Sequence, residues 1–307
     1  MKKYIVLSLI VIAVGCNKRK ELTVEELKTY ESELTSWHAK RIEDLKAPNG
    51  WINLVGLYWL EPGINTFGTD EKNKIVFPAG TLPAKAGYLL VKDNSVLIYP
   101  EKDVAVLSNG SSLTNPVIFH PDSAKAPQLE YGSLRWNIIK RDQKLGIRVR
   151  DLESEDVKSF TGVERYPVNT DLRLEARFEK SDSTKTIDIT NILGQTTAQR
   201  SPGTLVFQFE GEEFRLDALK GGKDELFIIF ADATSGKETY GGGRFLYVKL
   251  PDEEGKTIID FNKAYNPPCV FTSYATCPLP PAQNVLTVPI RVGEKNYGHD
   301  SHAKQGV

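Results

Sequence analysis

The chain of 307 residues has few of the side chains that serve as nucleophiles, general bases and metal ligands. It contains three cysteines and four histidines, and it has neither a G-x-S-x-G nor an H-E-x-x-H motif. His38 lies in a predicted helix, and His299 and His302 lie in the C-terminal tail, which leaves His120 within the rest of the chain. Serine–histidine and zinc hydrolase chemistry therefore has no support in the sequence, and we expect neither a metal nor another cofactor.

An excess of charge of one sign is also missing. Lysine and arginine number 39 and aspartate and glutamate 40, for a net charge of −1, and the two signs are mixed along the chain. Proteins that bind nucleic acid need a concentrated basic surface to contact phosphates. We therefore expect no nucleic-acid partner.

No hydrophobic run is long enough to span a bilayer comfortably. The apolar residues from Ile5 to Gly15 number about a dozen and follow Lys2 and Lys3, a pattern typical of a secretory signal. The run ends at Ala13-Val14-Gly15-Cys16, which resembles the bacterial lipobox. We expect residues 1–15 to be a signal peptide, Cys16 to carry lipid, and residues 16–21 to tether the chain to a membrane of the cell envelope, on its periplasmic or surface side.

Residues 22–49 are predicted to contain one helix. Thr23 and Glu26 have the spacing of a capping box, and Pro48 ends the pattern. One apolar stripe recurs at helical spacing, formed by Leu27, Tyr30, Leu34 and Trp37. The helix is expected to pack its stripe against the aromatic residues that follow it, Trp51, Tyr58 and Trp59.

After Gly50 the chain becomes a series of short runs rich in β-branched and aromatic residues, separated by glycine, proline, asparagine and aspartate. Such runs are typical of strands joined by tight turns. The sequence therefore predicts a mainly β protein, with an N-terminal helix, a β-sandwich over residues 50–155 and a second antiparallel β-sandwich or barrel-like half over residues 156–297. Predicted strands include Leu134–Lys140 and Gly146–Arg150 in the first half, and Arg244–Leu250, Lys256–Phe261 and Val285–Arg291 in the second. We expect residues 298–307 to be a disordered tail.

Several phrases together resemble the uncharacterised domain-of-unknown-function family 1684. They are GWINLVGLYWLEPGINTFGTDEKNKIVFPAG (50–80), GIRVRD (146–151), DATSGKETYGGGRFLYV (232–248) and DFNKAYNPPCVFTSYATCPLPPAQNVLTVPIRVGEK (260–295). The resemblance covers about residues 37–297. It implies membership of the family and no particular activity.

A second resemblance concerns the first β half. The residues Gly63–Gly68, Asn73–Phe77 and Asn109-Gly110 resemble the opening of a forkhead-associated β-sandwich. In that family an arginine after the second glycine contacts a phosphate, and here the position is Thr69. The resemblance therefore implies the fold, without phosphopeptide binding.

The candidate site lies around a run of three glycines. Consecutive amides at Gly241, Gly242 and Gly243 would form a nest for an anion, and Arg244 would supply a planar guanidinium. In the alternative, the glycines form a bulge and Arg244 pairs internally with Asp232 or Asp260. A hairpin of the two strands near 244–250 and 256–261 would place Arg244 opposite Asp260. It would also bring together the remaining candidates, Asp232, Glu238, Tyr240, Asn262, Tyr265 and Asn266.

Cys269 and Cys277 lie in a proline-rich stretch without helical or strand periodicity. In an exported protein they would form a disulfide that closes this loop, although two buried thiols or a metal site are alternatives.

We interpret the chain as an envelope protein that binds a small anionic molecule or has a structural role. Two alternatives are a hydrolase or lyase that uses Asp232, Glu238 and Asp260 with Arg244, and a module that assembles with an envelope protein.

Overall fold

A computed structural model describes residues 22–123, 126–141 and 143–298. The expected signal peptide, the lipidated Cys16 and the tether lie outside these residues, and so do the last nine residues of the expected tail. Among the described residues no helix has the length and apolar character needed to cross a membrane.

Helix α1, Val24–Lys46, begins with the predicted capping box. The Thr23 hydroxyl accepts a hydrogen bond from the Glu26 amide, and the Glu26 carboxylate accepts one from the Thr23 amide. Tyr30 and Leu34 of the apolar stripe are buried. Because these two reciprocal bonds satisfy amides that lack partners within the helix, they define where α1 starts.

The first half is a β-sandwich. One sheet has the strand order β1-β11-β10-β9-β6-β7 and the other β3-β2-β4-β5-β8. The inner faces of both sheets contribute to one apolar core, which includes Phe67, Leu89, Trp136 and Val149. The strands of this half are β1 Leu54–Trp59, β2 Gly63–Gly68, β3 Ile75–Val76, β4 Gly87–Lys92, β5 Ser95–Pro100, β6 Leu107–Ser108, β7 Ser111–Ser112, β8 Val117–Phe119, β9 Leu129–Tyr131, β10 Leu134–Arg141 and β11 Lys144–Asp151.

The second half is built on one antiparallel sheet that curls almost into a barrel around its own core. A short helix, α2 (Glu155–Ser159), precedes it. Its strands are β12 Arg173–Lys180, β13 Thr186–Thr190, β14 Thr196–Arg200, β15 Gly203–Phe209, β16 Glu212–Lys220, β17 Glu225–Phe230, β18 Arg244–Lys249 and β19 Lys256–Asp260. The strand order is β18-β17-β16-β15-β12-β19, and β13 and β14 form a separate hairpin. The predicted fold class, mainly β with an N-terminal helix, is confirmed.

The strands β18 and β19 form the two opposite edges of this sheet. The predicted hairpin between them is therefore wrong, because β18 pairs with β17 and β19 pairs with β12. Curling brings the two edges close again. Backbone bonds join Phe245 and Tyr265 at one end, and the Thr257 hydroxyl donates to the Lys249 carbonyl, 2.9 Å away, at the other.

Two further expectations need correction. The segment Val285–Arg291 is not a strand. It is irregular apart from one isolated bridge between Val285 and Ala231, and Ile290 packs in the core of the second half. The main partner of α1 is the second half. Tyr30 donates to Asp260, whereas Tyr58 packs in the core of the first sandwich and 36% of Trp59 is exposed. Of the three predicted aromatic partners, Trp51 joins the cluster that contains Leu45 of α1.

Candidate functional site

Arg244 is part of the buried framework of the second half. Its side chain is fully buried, and one terminal nitrogen lies 2.8 Å from Asp232 Oδ2 and 2.7 Å from the Ile290 carbonyl. The other terminal nitrogen donates to the carbonyls of Val292 and Glu294. The structure therefore agrees with the internal ion pair, with Asp232 as partner, and Arg244 is not presented to a ligand.

The other carboxylate oxygen of Asp232 also accepts hydrogen bonds. Its Oδ1 accepts bonds from the backbone and hydroxyl of Thr234 and from the amide of Ile290. A carboxylate with this many donors and a buried cation has no lone pair to spare for acid–base chemistry. The pair instead fixes the 288–294 segment against β18.

The third glycine of the run, Gly243, is explained by close packing. Gly243 has a φ of +81°, and a Cβ there would lie 2.4 Å from Pro280 Cγ and 2.5 Å from the Phe230 carbonyl oxygen. Its amide donates to the Tyr240 carbonyl at 3.1 Å. This amide is therefore committed to a turn, and only Gly241 and Gly242 of the expected anion nest lie at the surface.

The carboxylates of the enzyme alternative have separate partners. Glu238 is exposed and forms a two-pronged ion pair with Arg291, and it also accepts the Tyr166 hydroxyl. These bonds hold the pKa of Glu238 below its usual range, with Arg291 as the largest cause. Asp260 accepts the Tyr30 hydroxyl at 2.8 Å instead of contacting Arg244. The three carboxylates thus provide no shared acid–base pair.

Two further candidates are buried and hydrogen-bonded within the protein, and two candidates line a cleft. Asn262 is buried and bonded to the backbone of Asn169, and Asn266 is buried and bonded to the Glu294 side chain. Asp260 and Tyr265 line one cleft against α1.

Cys269 and Cys277 form a buried disulfide, with their Cα atoms 6.1 Å apart. The proline-rich stretch is thereby closed into a compact loop. Among the described residues no group of three or more acidic, histidine or cysteine side chains is placed to hold a metal ion.

A different cation, Arg148, is buried without an ion-pair partner among the described residues. Arg148 lies on β11, where Ile147 and Val149 point into the sandwich core and Arg148 and Arg150 point to the opposite face. Only 8% of Arg148 is exposed, and its Nε has no hydrogen-bond acceptor. Within the described part of the chain it forms no ion pair and no side-chain hydrogen bond.

The neighbours of Arg148 add positive charge. Leu57 and Asn137 flank it across the sheet, and Arg150 is flanked by Leu54 and Arg135. Burial, followed by the charges of Arg150 and Arg141, lowers the pKa of Arg148 to about 10. No carboxylate of the described residues offsets these effects. Because isolated buried charges are costly, this guanidinium marks a place where an anion would be strongly favoured.

Arg148 and Arg150 together form a basic strip. Trp51 lies beside this strip. The Arg148 guanidinium lies 5.2 Å from the Trp51 ring, and Arg150 donates its Nε to the Gly50 carbonyl. Trp51 packs in turn against the cluster that contains the disulfide. The strip therefore lies where the first sandwich meets the loop closed by the Cys269–Cys277 disulfide.

Sequence reasoning missed this strip. The signal was present in Leu145-Gly146-Ile147-Arg148-Val149-Arg150, where two arginines alternate with core residues on a predicted strand. What the sequence did not give was the pairing of β11, and hence the absence of an acidic residue opposite either arginine.

Comparison with known proteins identifies the second half. Residues 158–295 match the family described as a protein of unknown function (DUF1684). We refer to residues 158–295 as the DUF1684 domain. The recognition from the TYGGGRF and DFNKAYNPPC phrases is thereby confirmed over these residues. The phrases before residue 158 lie outside the match, and the forkhead-associated resemblance of the first half is not confirmed.

The chain is also similar to one protein of solved structure. An uncharacterized protein of Haloarcula marismortui, solved by NMR in solution, is 28% identical over 46% of this chain and 80% of its own, with a TM-score of 0.39. No curated protein matches the chain. Arg148 and Arg150 precede the DUF1684 domain, whereas the disulfide loop against Trp51 belongs to it.

Proposed function

We propose that this chain is an exported, lipid-anchored protein of the cell envelope that binds a small anionic molecule at Arg148 and Arg150. The observation that carries the proposal is the burial of Arg148 without an ion pair or an acceptor for its Nε. A bound ion or ligand is one reason for a native protein to retain such a costly group, and it is the one we propose here. The export and the anchor rest on the lipobox-like sequence that ends at Cys16.

The surroundings favour a ligand that carries one phosphate, sulfate or carboxylate group. A guanidinium offers a planar set of donors to such oxygens, and Arg150 stands two residues away on the same face. Trp51 beside Arg148, and Trp59 beside Gly146, would contact a less polar part of the ligand.

Calorimetric titration of the purified full chain with inorganic phosphate, at constant ionic strength, tests the binding. We expect saturable binding by the wild type and its loss in Arg148→Met. Arg200→Met is the matched control, because Arg200 is an exposed strand arginine without an ion pair among the described residues. Equal phosphate binding by wild type and Arg148→Met would refute the site, and so would equal losses in both variants.

A further inference from the structure

A cleft of about 560 Å³ lies between α1 and the two edge strands of the near-barrel. Tyr30 and Trp37 of α1 line one wall, and Tyr247 of β18 and Ile258 of β19 line the other. Its volume falls within the range of small-molecule sites. The cleft lies on the DUF1684 domain and does not include Arg148.

Among the described residues, hydrogen bonds connect β18 to β19 and to the segment after β19 only at the ends of this cleft. The Phe245–Tyr265 backbone pair closes one end, and the bond from Thr257 to Lys249 closes the other. Since backbone groups alternate in direction along a strand, those of Tyr247 face the gap, as those of Phe245 do. The gap between β18 and β19, which is bridged at both ends, is therefore part of the folded structure.

Exposed apolar groups collect at this gap. Tyr247 of β18 is 45% exposed and Ile258 of β19 is 38% exposed. Leu250, which follows β18, is 48% exposed. The Tyr247 ring stacks on Tyr265 with centroids 6.1 Å apart and planes 14° from parallel. Burial raises the pKa of Tyr265, as does Tyr247 beside it, so its hydroxyl stays protonated.

The stacked pair is rigidly supported. Arg41 of α1 lies 4.6 Å from the Tyr265 ring, and Phe227 lies 5.1 Å from that of Tyr247. Tyr247 thus presents a fixed aromatic surface to the cleft. A rigid aromatic ring binds a flat, partly apolar surface at little cost in side-chain entropy.

The polar lining of the cleft is balanced in charge. Its cations are Arg173, Lys249, Lys256 and Lys263, and its anions are Glu33, Glu225, Asp252 and Asp260. Asp260 is held in place because its Oδ1 accepts bonds from Tyr30 and Asn262, while its Oδ2 has no partner among the described residues. Such an oxygen is available to accept a ligand hydroxyl.

We propose that this cleft binds a short oligosaccharide of no net charge, with Tyr247 packing on the face of a sugar ring and Asp260 accepting its hydroxyl groups. Sugars present an apolar C–H face and a rim of hydroxyls, which matches an aromatic ring surrounded by charged donors and acceptors. The balanced charge disfavours a nucleotide, which needs an excess of cations. The eight charged side chains disfavour a lipid chain.

An extended peptide fits the cleft less well. Peptides that add to a sheet edge need a run of free backbone groups. Here both ends of the gap are already bridged, and Tyr247 supplies the free groups of β18 between them. The oligosaccharide needs no such run.

Titrations of the full chain with cellobiose, maltose and diacetylchitobiose, followed by saturation-transfer NMR, test this site. We expect a Kd of about 1 mM or tighter for at least one of them. Tyr247→Ala should weaken binding at least tenfold, and Tyr247→Trp should restore it because the aromatic surface is retained. Tyr88→Ala is the matched control, since Tyr88 stacks on Tyr99 in the other half.

Arg148→Met should leave saccharide binding unchanged, because the proposed anion site lies elsewhere. Three outcomes would overturn the cleft site. They are no saturable binding of any of the three disaccharides, equal binding by wild type and Tyr247→Ala, and equal losses in Tyr247→Ala and Tyr88→Ala.

Discussion

The Arg244–Asp232 pair and Arg148 solve the same problem of a buried guanidinium in opposite ways. Arg244 is surrounded by a carboxylate and three carbonyl oxygens. Arg148, by contrast, has two arginines and an aromatic ring nearby. The first arrangement holds the DUF1684 domain together, whereas the second leaves a positive charge that is available to a ligand.

Removal of one member of the Arg244–Asp232 pair should therefore destabilise the fold severely. We expect Arg244→Met to lower the free energy of unfolding by about 3–5 kcal/mol, because Asp232 would remain buried without its counter-charge. Urea denaturation measures this change. Arg291→Met is the control, since its ion pair with Glu238 is exposed and should contribute no more than about 1 kcal/mol. Similar losses in the two variants would contradict a structural role for Arg244.

Residue types alone did not distinguish these two arginines. TYGGGR has the composition of an anion site, yet Gly243 is required by the approach of Pro280 and the Phe230 carbonyl. Arg244 and Asp232 were both singled out, and an internal pair was one of two interpretations. The choice between them depends on the path of the 288–294 segment, which has no regular periodicity and so could not be placed from sequence.

At the scale of elements, the local patterns were informative and the long-range pairings were not. The capping box predicted the start of α1, and alternation predicted strands such as β10 and β11. The hairpin of β18 and β19 was wrong because sequence neighbours need not pair, and here the sheet curls to bring its edges together.

Helix α1 carries a pH-sensitive contact with the second half. His38 has a buried Nδ1 without a partner, and its pKa is lowered by burial and then by Arg165. The folded state therefore disfavours the protonated ring. Stability is at its full value above the usual histidine pKa of about 6.5, and it falls as the pH drops from there to the lower folded-state pKa.

We expect the wild type to lose more stability than His38→Gln between about pH 8 and about pH 5. Glutamine does not titrate, so the difference between the two curves isolates the histidine from the carboxylates. Thermal denaturation of both proteins across this range measures it. Parallel curves would show that protonation of His38 does not differ between the folded and unfolded states.

For the whole molecule, the arrangement relative to the membrane follows from the proposed anchor. Only a few residues separate Cys16 from the start of α1 at Val24. Since Tyr30 and Trp37 of α1 line the cleft, the proposed saccharide site would be held near the bilayer surface. A single acyl chain binds a membrane marginally, whereas several chains anchor a protein firmly.

Substitution of Cys16 by serine should release the protein from the membrane. We expect the wild type to sediment with bacterial membranes and to incorporate labelled palmitate, and Cys16→Ser to do neither. Cys269→Ser is a control for labelling, because Cys269 is buried in the disulfide. Membrane association and labelling that persist in Cys16→Ser would rule out this anchor.

We expect Arg148 to destabilise the folded protein until an anion binds. The free energies of unfolding of wild type and Arg148→Met, measured with and without phosphate, test this expectation. Without phosphate, Arg148→Met should be more stable than wild type by roughly 1–3 kcal/mol, because an uncompensated charge is removed. Phosphate at about ten times its Kd should add about 1.4 kcal/mol to the wild type and nothing to the variant. A variant that is less stable than wild type without phosphate, or one that phosphate stabilises equally, would contradict the account.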